Sequence, residues 1–357
     1  MSVAREACSV LFTIVVPVHN AGPFLDQCIS SVIAQTQENW ELLLIDDGST
    51  DDSLGVCLRY AEADSRIRVI SQENLGVSRA RNAGLTQVRS EFLSFLDADD
   101  WLSPDYLAQI AQSLSRSGAD IVLSGYRLQA SDSADIVFRP SSDLEGSTQV
   151  AVKRVFMDLA KGSLQGYSCA FHYRTTALHG QLFDTSIPFS EDLDFIMRAL
   201  RTAKTIAVAE TSGYNYRIGH ESASNSPRHL VRNAVASAIV SWHIVNYSRS
   251  LPFQASDRRM IARIRLHKLR RLVMAAIGRG QMTFDMKRSL AVELESTPEF
   301  HRLKNAGNQN VLDRQIDSYV LEDSSLRSWL VLRPLAMMGI LMKRVQHTLR
   351  VPHQSRG

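Results

Sequence analysis

VLFTIVVPVHNAG, Val10–Gly22, opens on an unbroken apolar, β-branched run that Pro17 and the polar HNAG bring to a stop. Continuous apolar residues without alternation, rich in Val and Ile, predict a strand buried on both faces of a parallel sheet. From Phe24 the apolar residues Phe24, Leu25, Cys28, Ile29, Val32 and Ile33 recur at helical spacing behind Pro23, so a helix follows the strand. WELLLIDDGSTDDS repeats the arrangement: Leu42–Ile45 is a buried strand, Asp46–Ser49 its loop, and Ser53–Ala63 the next helix. IRVISQEN adds a third strand, SRARNAGLTQV a third helix and EFLSFLDADD a fourth strand. Strands alternating with helices predict an α/β fold built on a mostly parallel, doubly wound sheet flanked by helices. Ligands of such sheets bind beyond the carboxyl ends of the strands. PVHN, IDDGS, QEN and LDADD each end a strand, so four polar clusters far apart in sequence are expected on one rim.

Further along, a helix to Arg116 and a strand DIVLSGYRL are expected, then a polar loop or surface hairpin over Ser131–Thr148 and a helix over Val150–Ala160. FSEDLDFIMRALRTA starts with a capping-type pattern at Ser190 and continues into the apolar stripe Leu193, Ile196, Met197 and Leu200, which places Glu191 and Asp192 at a helix N-terminus. TIAVAETSGYNYRIGHESASNS gives a strand and a Ser-rich loop. From Leu230 the pattern turns helical and basic, the only shift of composition in the chain, so two domains are read: 10–229 for the α/β part and 230–357 for a helical extension.

Bulk properties set limits. At 357 residues the chain can bury a large core, and a net charge of +3 is too small to argue for nucleic acid as a partner. Four cysteines lie scattered without metal-ligand spacing, as in a reducing cytoplasm. The N-terminus lacks the pattern of a signal peptide, and the longest apolar contender for a membrane span, Trp329–Met342, is broken by Arg333 and Pro334. A cytoplasmic protein is expected.

FLDADDW, Phe95–Trp101, crowds Asp97, Asp99 and Asp100 together. Like charges oppose one another's ionisation, so either a divalent cation neutralises them or the stretch is an acidic turn with local hydrogen bonds. No GxxxxGK and no GxGxxG after a strand occurs, which removes the usual phosphate loops. A nucleotide could still be held by carboxylates and a metal such as Mg2+ or Mn2+, since magnesium takes one or two protein carboxylates and fills its shell from water and phosphates. Asp97 and Asp99 fit that economy.

IVVPVHNAGPFLDQCISSVIAQT, IDDGSTDDS, QENLGVSRARNAGL, FLDADDWLSPDYL and SEDLDFIMRAL resemble, in order and spacing, glycosyltransferase family two over Phe12–Ser226. The resemblance implies a GT-A, Rossmann-like fold and an inverting, metal-dependent transfer of a sugar from a nucleotide diphosphate donor to an acceptor hydroxyl. It implies that Pro17 and Asp47 hold the nucleoside, that Arg81 lies near the nucleotide, and that Asp97 and Asp99 form the DxD pair that meets metal and donor. Asp100 is a secondary candidate there. Asp192 stands at the place of the general base, and Glu191 caps the helix or supports its neighbour. A base on the acceptor side is what direct displacement requires. In YNYRIGHESASNS, Arg217 is a candidate for the diphosphate and His220 for metal or phosphate, while Tyr214 and Tyr216 read as packing residues. Two departures stand out: His19 where the family commonly has Tyr, and SCAFHYRTTAL, which follows the acceptor-side segment only loosely.

The basic, apolar helices of the C-terminal part, with Trp329 near the end, suit either an anionic membrane surface or a helical subdomain with its cations in water. A membrane surface would match a lipid-linked glycan acceptor in surface polysaccharide synthesis, with a UDP-sugar as the expected donor. Two other classes are open: a nucleotidyltransferase making sugar nucleotides, and a non-catalytic sugar-nucleotide binder.

Overall fold

The apolar run is a strand, β1 (Phe12–Val18), in which every residue but Pro17 is buried. The chain is described by a computed structural model over residues 11–129, 135–140, 149–218 and 230–278, with the single positions 298 and 302. Helix α1 (Gly22–Ile33), β2 (Trp40–Asp47), α2 (Ser53–Ala63), β3 (Ile67–Gln72), α3 (Val77–Leu85) and β4 (Phe92–Phe95) follow in the alternation expected. β1 lies between β2 and β4, parallel to both, in a register that sets Val18 beside Asp46. Their carboxyl ends therefore share one edge, which is where the polar clusters sit.

The chain continues through β5 (Trp101–Leu102), α4 (Tyr106–Ser117), β6 (Ile121–Leu123), β7 (Tyr126–Gln129), β8 (Ile136–Phe138), α5 (Gln149–Lys161), β9 (Phe171–Arg174), α6 (Glu191–Thr202), β10 (Ile206–Val208), β11 (Tyr214–Arg217), α7 (Leu230–Tyr247) and α8 (Ala255–Gly278). A seven-stranded sheet runs β10-β6-β9-β4-β1-β2-β3, with β9 antiparallel to both its neighbours; a second sheet runs β5-β11-β7-β8. The mostly parallel sheet flanked by helices is the expected fold.

Two expected strands are each divided between the sheets. DIVLSGYRL breaks at Ser124–Gly125 into β6 and β7, because the Gly125 backbone passes so close to another segment that a Cβ there would lie 2.4 Å from the Phe138 carbonyl oxygen. The segment after Thr205 likewise gives β10 in the large sheet and β11 in the small one. The second sheet thus folds against the rim of the first, and β11 pairs with β5 directly behind the acidic stretch. The basic helices do not stand apart: α7 packs on α6, and α8 on α7 and α5. Among the described residues no helix is long and apolar enough to cross a membrane.

At the centre of the large sheet, His172 on β9 is fully buried. Its Nδ1 bonds Ser94 Oγ at 2.8 Å, and its Nε2 bonds Tyr106 Oη at 3.0 Å and Ser124 Oγ at 3.2 Å. Both ring nitrogens are satisfied, which is the condition for burying them cheaply. Burial pushes the imidazole down to about 3 from 6.5. An unfolded imidazole takes up a proton near 6.5 and the folded one does not, so stability is lost as the pH falls below 6.5. His172 should account for a loss of about 2 kcal/mol between about pH 7 and pH 5. His172→Asn, less stable at neutral pH, should lack that slope when both proteins are denatured chemically across the range; equal slopes would remove His172 from the account.

Candidate active site

The rim divides into two hydrogen-bonded groups. In the first, the turn after β1 is tied to the turn after β2. Asn20, in the left-handed region at φ 50°, accepts from the Thr50 N–H at 2.8 Å through its side-chain oxygen, and the Ala21 N–H donates to Ser53 Oγ at 2.9 Å. His19 Nδ1 donates to the Asp47 carbonyl at 3.0 Å, which leaves Nε2 to accept from the Asn74 amide at 3.2 Å. Asp47 itself is buried, with Oδ1 accepting from Gln72 Nε2 at 2.6 Å and the Leu75 N–H at 2.9 Å, and Oδ2 from the Gly76 N–H at 2.8 Å. Gly48 is needed between these turns: its φ is 67°, and a Cβ would lie 2.6 Å from the Asn74 nitrogen. Pro17, half-buried, is the last residue but one of β1 and lies opposite Ile45. IDDGS and QEN are thus one folded surface, and Asp47 is the carboxylate that shapes it.

The second group centres on Arg81 of α3, whose side chain is only 4% exposed. Its Nη2 donates to Asp97 Oδ1 at 3.0 Å, and its Nη1 to Glu191 Oε1 at 2.9 Å and Asp192 Oδ1 at 2.7 Å. Burial alone would lower the proton affinity of this guanidinium, but Asp192, Asp97 and Glu191 raise it above its usual value. Arg81, expected near the nucleotide, is a buried clasp between the end of β4 and the start of α6.

Asp192 sits in the first turn of α6. Its Oδ2 accepts from the Ser168 N–H at 3.3 Å and hydroxyl at 3.2 Å, while a fifth of its side chain is exposed. Burial raises its carboxyl, Arg81 opposes, and Glu191 and Asp97 add to the rise, leaving it at about 7. The capping expectation for Ser190 is not met: its φ is 62° and its hydroxyl makes no capping bond. The acidic first turn is satisfied by Arg81 instead, and Glu191 supports its neighbour by sharing that guanidinium.

The three aspartates of FLDADDW separate by environment. Asp97 and Asp99 are half-buried, and Asp97 Oδ1 is committed to Arg81. Asp100 is 2% exposed, with Oδ2 accepting from Tyr214 Oη at 2.6 Å and Oδ1 from the Arg217 N–H at 2.8 Å. Burial, then Asp97 and Asp99, push its carboxyl well above the usual range. Asp100 holds the loop to β11. Tyr214 is therefore more than packing, since its hydroxyl also accepts from the Asp97 N–H at 3.2 Å. Arg217 donates through Nε to the Asp99 carbonyl at 2.9 Å and through Nη2 to Gln27 at 2.6 Å, and its guanidinium lies 4.6 Å from the Trp101 ring centre. His220 lies outside the described residues. Tyr216 stacks on Tyr167 at 5.7 Å, the residue before Ser168, so an aromatic wall flanks Asp192.

Among the described residues no group of three or more His, Cys, Asp or Glu side chains is placed to hold a metal alone. Asp97 and Asp99 offer hard oxygen donors that suit an ion completing its shell with phosphate and water. Ser168 and Tyr214 are the functional neighbours that sequence reasoning missed. A single Ser in a loosely matching segment carries no signal, whereas the Tyr/Arg spacing of YNYR could have indicated that Tyr214 and Arg217 act on the same loop.

Helix α6 is also gripped from its other side. Asp194, 1% exposed, accepts from Arg198 Nε at 2.8 Å, His243 Nδ1 at 3.0 Å and Tyr247 Oη at 2.9 Å. Burial opposes its ionisation, but these bonds outweigh it and lower the carboxyl.

Comparison with known proteins agrees with this geometry. The glycosyl transferase family 2 model matches residues 13–162. The uncharacterized glycosyltransferase EpsJ of Bacillus subtilis (strain 168) is 32% identical over 223 residues, which span 61% of this chain and 64% of EpsJ. The putative teichuronic acid biosynthesis glycosyltransferase TuaG of the same organism is 31% identical over 123 residues, 34% of this chain and 49% of TuaG. The match therefore spans less than two thirds of either relative. The crystal structure of S. aureus TarS 1-349 in complex with UDP shares the fold at a TM-score of 0.60 and 20% identity, over 83% of each chain. Together with the rim geometry, these matches make residues 13–162 similar to the glycosyl transferase family 2 domain.

Proposed function

We propose that the chain is an inverting glycosyltransferase that moves a sugar from a UDP-sugar to a glycan hydroxyl in cell-wall or surface-polysaccharide assembly. The observation that carries this reading is the Arg81 clasp, which brings Asp97 and Asp192 within the reach of one guanidinium. A donor-side carboxylate and a candidate base thus border one cleft. The match to the family model, UDP in the TarS structure, and the polysaccharide setting in TuaG's name support donor and pathway class.

In this reading the folded surface around Asp47 and Pro17 receives the nucleoside, and Asp97 and Asp99 face the diphosphate. They would hold Mg2+ or Mn2+, which when bound supplies Lewis-acid stabilisation of the charge on the departing diphosphate. Arg217, fixed at the Asp99 carbonyl, adds a forked cation at the same edge. Asp192 accepts the acceptor's hydroxyl proton as that oxygen bonds to the anomeric carbon and the bond to phosphate breaks on the opposite face. Arg81 and Ser168 orient its carboxylate. A lipid-linked acceptor at an anionic membrane belongs to the same reading, with the exposed stripe Arg259, Arg263 and His267 of α8 facing the surface.

Four outcomes follow. Asp192→Asn should lower kcat by about 100-fold or more with little change in donor KM. In the wild type, kcat/KM should rise with pH through about 7 and then level, because the base works unprotonated; a flat profile through neutrality would place the base elsewhere. UDP should raise the melting temperature more with manganese than with a chelator, and Asp99→Ala should erase that difference. Vesicles rich in anionic lipid should bind the full chain at low salt and release it at high salt; no binding at low salt would remove the membrane from the reading.

A further inference from the structure

The basic segment of α8 contains a residue that none of this chemistry uses. Arg265 is 7% exposed and aims into a cavity of about 290 Å3 bounded by α5, the turn after it, the first turn of α6, α7 and α8. Its Nε donates to Ser241 Oγ at 3.2 Å, and no Asp or Glu lines the cavity among the described residues. Burial lowers its guanidinium to about 10, with no anion among the described residues to compensate. A buried cation without a counter-charge is costly, and arginine's remaining donors form a fork suited to a tetrahedral oxyanion.

The rest of the lining points the same way. Lys268 lies three residues on, on the same face of α8, and also lines the cavity. Its ammonium fills the space that a side chain at Gly162 would need: a Cβ there would lie 1.6 Å from Nζ. Ser237 and Ser241 contribute hydroxyls from α7, and Ser190, whose hydroxyl makes no capping bond, lines the wall at the start of α6. That end of a helix also carries partial positive charge. Two cations, three hydroxyls and a helix N-terminus thus surround a space at the low end of ligand-pocket size, ~300–1,000 Å3.

We propose that this cavity binds a phosphate group, held by the Arg265 fork, Lys268 and the serine hydroxyls. Ser190 and Leu193 line it while Asp192 lies between them in sequence, so occupancy adjoins the base. The phosphate is either part of a phosphate-bearing acceptor or a free anion, and only the first source rests on the transferase reading above.

The test uses the full chain, sodium phosphate and pyrophosphate at matched ionic strength, and saturating UDP to fill the donor site. Phosphate at about ten times its dissociation constant should raise the melting temperature by about 2 °C. Arg265→Met should lose that rise, and Lys268→Met, at a half-exposed position that tolerates change, should reduce it if the first variant fails to fold. No rise in the wild type, or the same rise in both variants, overturns the site. In transfer assays, competition of phosphate with acceptor but not donor assigns the phosphate to the acceptor, whereas a melting shift without competition assigns it to a free anion. The melting measurements need no turnover, so their failure is distinct from failure of the transferase reading.

Discussion

One guanidinium sets the electrostatics of the cleft. Arg81 is almost wholly buried and bonded to Asp97, Glu191 and Asp192, so one cation faces three carboxylates. Taking a guanidinium out of water costs several kcal/mol, and only close, well-formed carboxylate contacts offset it. The contacts draw three distant segments together: α3, the end of β4 and the start of α6. The negative excess that remains is useful chemically. Asp192 feels Arg81 lowering its proton affinity and burial, Glu191 and Asp97 raising it, and it settles near 7, where a base can take a proton and give it up again.

The same clasp explains which part of the site was legible in the sequence. Strand ends are readable because an apolar run must stop somewhere polar, and in a parallel sheet all those stops share one edge; PVHN, IDDGS, QEN and LDADD followed from that rule alone. The roles of individual residues inside the clusters did not, because they depend on partners from sixteen to more than a hundred positions away. Arg81 looks like any exposed basic residue of an amphipathic helix until Asp97 and α6 close over it. Asp100 is set apart from Asp97 and Asp99 in sequence only by its place after the DxD pair, and nothing there shows that Tyr214 and the Arg217 backbone take both its oxygens. The strand division at Gly125 was hidden for a related reason: the chain keeps its apolar pattern through the break, and only the proximity of Phe138 forces it.

The C-terminal helices change meaning once Asp194 is considered. Asp192 and Asp194 are two residues apart on α6 and bond to opposite sides of the fold, the first to Arg81 and Ser168, the second to His243 and Tyr247 of α7. Rotation of α6 that would carry Asp192 off the cleft would have to break the bonds of Asp194, a buried carboxylate that cannot afford to be left unpaired. A compositional change near Leu230 therefore does not separate chemistry from appendage. The helices that begin there hold Asp192 in register, and α8 sets Arg265 beside the same first turn. Over Leu230–Gly278, what reads in sequence as the start of a basic tail packs as the wall behind Asp192.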